Sequence, residues 1–258
     1  MAENEVSDET CSIYLARGYD NGQECSSMMK CRNCEPGEAC YVPDRYLTYS
    51  VDEFGNFSGE EAMMQEIYQR GPIACDGATP QAFDDYTGGL FCDDTGDLDV
   101  THVISVAGYG VDEQGQKYWL VRNSWGEHWG EDGFARVCRG VNNIAIESNC
   151  NWATPVDTWT EKRWHETTEE EKNDPKNDKT VYEMPQPEYT PESAFISEAD
   201  QFLRDATPFT GCRVKKTETK AQASSTPSAL EELNGKNMPP TWDWRDMNGV
   251  NYMSWNKN

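Results

Sequence analysis

One stretch, THVISVAGYGVDEQGQKYWLVRNSW (101–125), constrains the fold more than any other part of the chain. Two runs rich in Val, Ile, Tyr and Trp flank a polar, Gly-containing turn, which is the pattern of a β-hairpin. A later run, GFARVCR (133–139), predicts a further strand. The hairpin therefore predicts an antiparallel sheet as the core of this region.

The stretch SGEEAMMQEIYQRGP (58–72) gives the clearest helix signal. Ser58 is the expected N-cap, and Glu61 three residues later would complete a capping box. Met63, Met64, Ile67 and Tyr68 recur at helical spacing and are expected in the core. Gly71 and Pro72 should end the helix. Short strands around one helix predict an α+β fold with a small antiparallel β-barrel or sheet.

The charge of the chain limits its partners. Forty-six acidic and 22 basic residues give a formal net charge of -24. Such a chain should avoid nucleic acid and anionic membrane surfaces. No apolar run approaches the length of a membrane span, so neither nucleic acid nor a membrane span is expected. No signal peptide is visible, because the residues after Met1 are polar and acidic.

Ten cysteines are many for a cytosolic protein, and five of them lie in CSIYLARGYDNGQECSSMMKCRNCEPGEAC (11–40). Such spacing indicates either disulfides or zinc. Cys31 and Cys34 form a lone C-x-x-C, with no second pair and no histidine nearby. We therefore expect disulfides, an oxidising compartment, and neither a metal nor a cofactor.

The composition changes after Trp159. Residues 158–200 are charged, proline-rich and poor in aliphatic residues, which predicts a long disordered linker. A second polar stretch ends at Pro240, and the sequence then turns aromatic, with Trp242, Trp244 and Trp255 close to its end. These last residues resemble the opening of a folded domain more than a tail.

His102 and Asn123 are the candidates for chemistry. Folding the hairpin about its turn brings His102 opposite residues 123–125, where opposed Cβ atoms lie ~5 Å apart. The Asn123 amide could then orient the imidazole and leave its other nitrogen free to exchange a proton. An indole beside the pair would shield it from water. Taken alone, the two residues fit a strand end and a turn cap better than a catalytic pair.

The context of the pair is more specific. NSWGEHWGEDGF following HVISVAGYG closely resembles the papain family of cysteine peptidases. That resemblance implies a papain-like fold, here mainly its β-barrel lobe, with a peptide or protein as substrate. It also implies that His102 is the general base and acid, that Asn123 orients it, and that Trp125 covers their bond.

Within the family, several stretches resemble the cathepsin X (cathepsin Z) subfamily, among them EIYQRGPIAC, YTGGLF and NIAIESNC. PPTWDWRDMNGVNY resembles the start of a mature enzyme of that subfamily. We therefore interpret residues 1–157 as a partial catalytic domain, 201–238 as propeptide-like, and 239–258 as the N-terminal segment of a second catalytic domain. We expect this last segment, from Trp242 to Trp255, to pack on the barrel lobe.

The nucleophile motif C-G-[SA]-C-[WY] does not occur in the sequence. The resemblance thus implies a missing nucleophile lobe as a partner and no peptidase activity for this chain alone. It also implies a lysosomal or extracellular location, and a carboxypeptidase as the intact enzyme. The alternative is a catalytically inactive module that binds peptides or a partner protein.

The resemblance also assigns several cysteines and glycines. Cys75 and Cys150 match a pair of cysteines that forms a disulfide within the barrel lobe. Two local bridges would join Cys25, Cys31, Cys34 and Cys40. Cys11 would be left free, because its partner belongs to the missing lobe. Cys92 and Cys138 depart from the subfamily and would form an extra bridge. Cys212 occupies the place of a propeptide thiol that can bond the catalytic cysteine, or is a stray thiol. Gly88 and Gly89 lie near the substrate cleft, or simply form a tight turn.

Overall fold

A computed structural model of the chain describes residues 5–12, 25–35, 37–158, 161–177 and 238–254. The chain divides into two compact units, each made of segments that are distant in sequence. The small unit combines Met1–Ser50 with Val156–Ala221, and the large unit combines Val51–Pro155 with Gln222–Asn258.

The described residues form eleven strands and four α-helices. The strands are β1 (Val6–Ser7), β2 (Arg45–Tyr49), β3 (Val51–Phe57), β4 (Ile73–Gly77), β5 (Leu90–Phe91), β6 (His102–Val111), β7 (Lys117–Arg122), β8 (Phe134–Cys138), β9 (Cys150–Pro155), β10 (Trp164–Glu166) and β11 (Trp242–Asp243). The helices are α1 (Ser27–Lys30), α2 (Glu60–Arg70), α3 (Gln81–Asp84) and α4 (Glu169–Lys172).

The large unit is built on an eight-stranded sheet. Seven strands follow the order β3-β9-β4-β6-β7-β8-β5, and β11 pairs with β6. The pairs are antiparallel except that β5 runs parallel to β8. β6 and β7 form the predicted hairpin, with Ser105 opposite Arg122 and Val111 opposite Lys117. The predicted strand at 133–139 is β8.

The core of the large unit lies between this sheet and α2. Met63 and Ile67 of α2 are fully buried, as are Val106, Trp119 and Val121 of the hairpin. Trp119 and Val121 alternate along β7, so they lie on the same face of the strand. The sheet with its few helices confirms the predicted α+β class.

The start of α2 differs from its prediction. The helix begins at Glu60, and its N-cap is Gly59, with no side-chain cap. The prediction of a capping box between Ser58 and Glu61 is therefore wrong. Gly59 takes φ 91° and ψ 151°, a conformation that glycine adopts without steric cost, and its N–H donates to the carbonyl of Glu147 at 2.8 Å.

The C-terminal segment packs on the large unit, as we expected. Trp242 lies opposite Tyr109 in the pairing of β11 with β6. The Trp244 indole N–H donates to the Ile67 carbonyl at 2.9 Å. Trp242 and Trp244 also pack against the buried core, whereas Trp255 lies outside the described residues. Trp242 and Asp243 of this aromatic segment thus form a strand of the sheet.

The small unit holds a three-stranded antiparallel sheet in the order β1-β2-β10. Trp164 of β10 lies opposite Leu47 of β2, and α4 follows with a complete capping box between Thr168 and Glu171. The prediction of a disordered linker is therefore wrong for residues 161–177. The backbone of these residues is hydrogen-bonded by pairing with a distant strand and by the helix cap, and the polar composition did not indicate either.

Four disulfides join described cysteines. They are Cys11–Cys31, Cys34–Cys40, Cys75–Cys150 and Cys92–Cys138. Cys75–Cys150 is the pair that the resemblance implied, and Cys92–Cys138 is the extra bridge expected outside the subfamily pattern. The expectation of a free Cys11 is wrong, because Cys11 and Cys31 lie with their Cα atoms 4.3 Å apart. The prediction that Cys31 pairs with another cysteine of residues 25–40 is wrong for the same reason.

None of the helices among the described residues is both long and apolar enough to cross a membrane.

Candidate active site

The structure brings the two predicted residues together. His102 opens β6, beside Gly77 of β4, and Asn123 directly follows β7. The His102 Nε2 atom lies 2.9 Å from the Asn123 Oδ1 atom. The Asn123 backbone N–H donates to the Gly133 carbonyl at 3.0 Å. Two neighbouring strands and one backbone bond therefore fix the position of the pair.

The hydrogen bonds of Asn123 define the tautomer of His102. Asn123 Oδ1 also accepts a bond from the Ser124 backbone N–H at 2.8 Å. A backbone N–H can only donate, so the shared atom must be the amide oxygen. A neutral His102 must then donate from Nε2, which leaves the lone pair on Nδ1. Nδ1 is the ring nitrogen that can accept a proton.

Trp125 covers this pair. Its indole stacks on the His102 imidazole, with ring centroids 5.2 Å apart and an interplanar angle of 27°. Asn123 is buried, with 3% of its surface exposed, and His102 is partly buried. Water therefore competes weakly for the His102–Asn123 bond, which strengthens it.

Packing alone does not account for an asparagine at position 123. Among the described residues its Nδ2 atom is buried and finds no hydrogen-bond partner. A buried donor left without a partner costs ~1–3 kcal/mol. It is one of six such side-chain atoms among the described residues. Each needs a reason, and for Asn123 the orientation of His102 supplies one.

The candidate cleft glycines form an exposed turn that is bonded on both sides. Gly88 and Gly89 have φ values of 147° and 89°, which disfavour any side chain. The Gly89 N–H donates to Glu131 Oε1 at 2.9 Å. The Tyr86 hydroxyl donates to the Gly89 carbonyl at 2.6 Å. The turn is thus a rigid feature of the large unit.

Glu131 is held in its charged form. Burial opposes its ionisation, but hydrogen bonds from Arg136 and from the Gly89 N–H outweigh that effect and lower the pKa of the Glu131 carboxyl. Arg136 contacts the carboxylate with Nε and with one terminal nitrogen, the latter at 2.6 Å. Bidentate pairing of this kind is strong and directional.

The described part of the chain offers no thiol for nucleophilic attack, because every cysteine in it is disulfide-bonded. Cys25 belongs to this bonded set, whereas Cys212 lies outside the described residues. Likewise, no three His, Cys, Asp or Glu side chains among the described residues form a group that could hold a metal ion.

Two aromatic residues near the pair were missed from the sequence. Phe83 and Trp129 both contact Trp125, with ring centroids at 5.9 Å and 5.3 Å. For Trp129 a signal was present in the sequence, because the second tryptophan of NSWGEHWG lies four residues after Trp125. Phe83 lies about forty residues before the pair's asparagine in sequence, and no local pattern marks it.

Comparison with known proteins gives the family of the chain. The sequence profile described as "Papain family cysteine protease" matches residues 1–156. "Cathepsin Z" of Onchocerca volvulus is 42% identical over 156 residues, which cover 57% of this chain and 49% of that protein. "Cathepsin B-like cysteine proteinase 6" of Caenorhabditis elegans is 38% identical over 107 residues, covering 39% of this chain and 28% of that protein.

Among solved structures, one similar protein matches a shorter part of the chain. Digestive procathepsin L 3 of Tenebrio molitor larval midgut is 32% identical, with a TM-score of 0.39. The match covers 41% of this chain and 36% of that one. The chain therefore spans about half, or less, of the length of the proteins that it resembles.

Proposed function

Because the chain belongs to the papain family of cysteine proteases, we propose that it carries the proton-transfer half of a peptidase site. His102 is the general base and acid, Asn123 orients it, and Trp125 shields their bond. The single observation that carries this proposal is the shared Asn123 oxygen, which bonds His102 Nε2 and the Ser124 N–H together.

The roles follow from that tautomer. His102 Nδ1 takes the proton of a cysteine thiol that another lobe supplies, which leaves a thiolate and an imidazolium. The thiolate attacks the peptide carbonyl, and Nδ1–H then protonates the leaving amine. In the second half of the reaction Nδ1 takes a proton from water, and the resulting hydroxide attacks the acyl carbon. The thioester bond breaks, the acid leaves, and the thiolate is restored beside the imidazolium, whose Nδ1 holds the proton. Asn123 accepts from Nε2–H throughout and supports the imidazolium.

Finer assignments belong to the same proposal. Likeness to the relative named cathepsin Z supports a peptide or protein substrate, a carboxypeptidase as the intact enzyme, and a lysosomal or secreted location. We propose Gly88 and Gly89 as part of the substrate cleft and Cys212 as a propeptide thiol. The segments 158–200, 201–238 and 239–258 keep their proposed roles as linker, propeptide-like segment and second N-terminal segment.

The test is to refold the chain together with a separately produced nucleophile lobe and to assay a small peptide substrate. The chain alone should show no hydrolysis, because triad members act as a unit and single losses remove most of the rate. With both lobes present, His102→Ala should abolish the activity and Asn123→Ala should weaken it.

His128→Ala is the matched control, since His128 is an exposed histidine of the same unit. It should leave the restored activity unchanged. Association of the two lobes is measured first by light scattering, because docking unlinked lobes carries its own entropic cost. Unchanged activity in His102→Ala would show that the general base is wrongly assigned.

The second candidate is an inactive module that binds peptides or a partner. It is favoured by the lack of a C-G-[SA]-C-[WY] motif in the sequence and of a free thiol among the described residues. Peptide binding by the purified chain, without turnover in the two-lobe assay, would select this alternative.

A further inference from the structure

We propose that Trp129 is a positioning residue for the His102–Asn123 pair and acts on it through Trp125. This deepens the proposed function, on which it rests for its consequence in catalysis. The argument itself needs only the contacts of the large unit.

Trp129 is anchored at a place that fixes its ring. It is 7% exposed, and its indole N–H lies 3.1 Å from the carbonyl oxygens of both Phe83 and Asp84. One N–H shared between two carbonyls is a bifurcated hydrogen bond, an arrangement that is common at helix termini. Those two carbonyls belong to α3, so one side chain ties the loop after β7 to that helix.

Two further bonds tie the same loop to the residues after α3. The Gly130 N–H donates to the Tyr86 carbonyl at 3.2 Å, and the Glu131 carboxylate accepts from the Gly89 N–H. Gly130 has a φ of 61°, and a Cβ at that position would meet the Phe134 carbonyl and the Tyr86 ring. Three consecutive residues, 129–131, thus hold residues 83–89 against the loop.

Trp125 lies between this clamped region and His102. Trp129 and Phe83 contact the Trp125 indole edge-on, whereas the imidazole of His102 stacks on its face. Edge-to-face packing favours a defined ring orientation. A shift of Trp129 should therefore move the indole that covers the His102–Asn123 bond.

A backbone connection links Trp129 to Asn123 as well. The Gly133 N–H donates to the Trp129 carbonyl at 2.8 Å, and the Gly133 carbonyl accepts from the Asn123 N–H at 3.0 Å. The backbone at Trp129 thus holds Asn123 through Gly133, whereas its side chain acts on the pair through the Trp125 indole.

The experiment measures His102 in the oxidised full-length chain by nitrogen-15 NMR. The chain has three histidines, so His128 and His165 serve as internal references, and His102→Ala assigns the signal. Trp129→Phe removes the indole N–H and retains an aromatic ring. We expect solvent exchange of the His102 Nε2–H to accelerate about tenfold, the scale of one lost hydrogen bond, with a smaller share of the Nε2–H tautomer.

Trp119→Phe is the matched control. Trp119 is buried as well, and its indole N–H donates to Glu147 at 2.9 Å, so a merely structural effect of losing an indole bond should appear there too. It should leave His102 unchanged. In a Trp125→Phe background, Trp129→Phe should add no further change, because its effect passes through Trp125.

Equal effects of Trp119→Phe and Trp129→Phe on His102, or no effect of Trp129→Phe, would overturn the proposal. If Trp129→Phe does not fold, Glu131→Gln loosens the third clamp and should accelerate exchange in the same direction; unchanged exchange there also overturns it. The NMR measurement needs no turnover. The role of Trp129 can therefore be disproved while His102 remains the general base. Conversely, the two-lobe assay can fail while the NMR measurement supports the role of Trp129.

Discussion

The backbone carbonyl of Trp242 lies against Gly108, at the point where any other residue would carry its Cβ atom. Asp243 stands opposite Gly108 in the pairing of β11 with β6, and the Trp244 N–H donates to the Ala107 carbonyl at 3.3 Å. The C-terminal strand can approach β6 this closely only because position 108 has no side chain.

Gly108→Ala should therefore detach the segment that contains Trp242 and Trp244 while the rest of the large unit stays folded. Overpacking of this kind costs about 1–3 kcal/mol. The tryptophan emission should shift to the red, and the Trp244 amide should lose protection from hydrogen exchange. Gly77→Ala is the control, since a Cβ there meets its nearest neighbour at 3.4 Å, an ordinary contact. Unchanged protection of the Trp244 amide in Gly108→Ala would contradict the steric argument.

The pairing of Glu131 with Arg136 should make stability depend on pH on the acid side. The pKa of Glu131 is lowered in the folded chain, so its contribution is present above the unfolded value of about 4.3. It is lost as the pH falls through the lower folded value. Glu131→Gln should cost about 1.5–3 kcal/mol near pH 7, the range for hydrogen bonds to a charged group.

That cost should shrink as the pH falls below about 4.3. The unfolded chain is protonated there first, and the folded carboxyl, with its lower pKa, is protonated at lower pH. Urea unfolding at four pH values measures it. Glu127→Gln, an exposed carboxylate of the same loop, should show no comparable difference at any of them. A cost for Glu131→Gln that is independent of pH would mean that its charge contributes nothing.

The phenol of Tyr109 should make the free energy of unfolding depend on pH on the alkaline side. Burial raises the pKa of its phenol to about 12, and its hydroxyl is buried without a hydrogen-bond partner among the described residues. The unfolded chain loses this proton near pH 10, so the free energy of unfolding should fall between pH 10 and about 12.

Tyr109→Phe should remove that part of the fall and raise the free energy of unfolding at pH 8 by up to about 1 kcal/mol, since it removes a buried group that makes no bond. Tyr86→Phe gives the contrast: it loses the bond to the Gly89 carbonyl and should destabilise the chain by about 1 kcal/mol. Denaturant unfolding of both variants at pH 8 and pH 11 decides the matter, and a destabilised Tyr109→Phe would contradict the argument.

The hairpin and the His102–Asn123 pair could be predicted because their signals are local. Alternation along β6 and β7 sets the register, and the register alone brings residue 102 near residue 123. The contribution of Trp129 could not be predicted in the same way, because it depends on carbonyls of α3, which is more than forty residues earlier in the chain. Hydrophobic periodicity carries no information on such a contact.

The small unit shows the same limit more sharply. β10 pairs with β2 across more than one hundred residues, and the charged composition of residues 161–177 favoured disorder over pairing. The disulfide Cys11–Cys31 is a similar case, because spacing within a cluster of five cysteines does not define connectivity. One local signal was nevertheless present: Thr168 and Glu171 have the spacing of a capping box, the pattern that was wrongly assigned to Ser58 and Glu61.

These two caps give a matched pair of variants. Thr168 accepts from the Glu171 N–H at 3.2 Å, and Glu171 accepts from the Thr168 N–H at 2.9 Å. Loss of an N-cap costs ~1 kcal/mol, so Thr168→Ala should destabilise the small unit by about that amount and accelerate hydrogen exchange at Glu171. Ser58→Ala should change the stability of α2 by less than about 0.5 kcal/mol, because Gly59 is its N-cap. Hydrogen exchange followed by mass spectrometry reports on both helices in one measurement.

Equal losses of protection in the two variants would mean that α2 is capped by Ser58 after all. No loss of protection in Thr168→Ala would mean that the capping box does not stabilise α4.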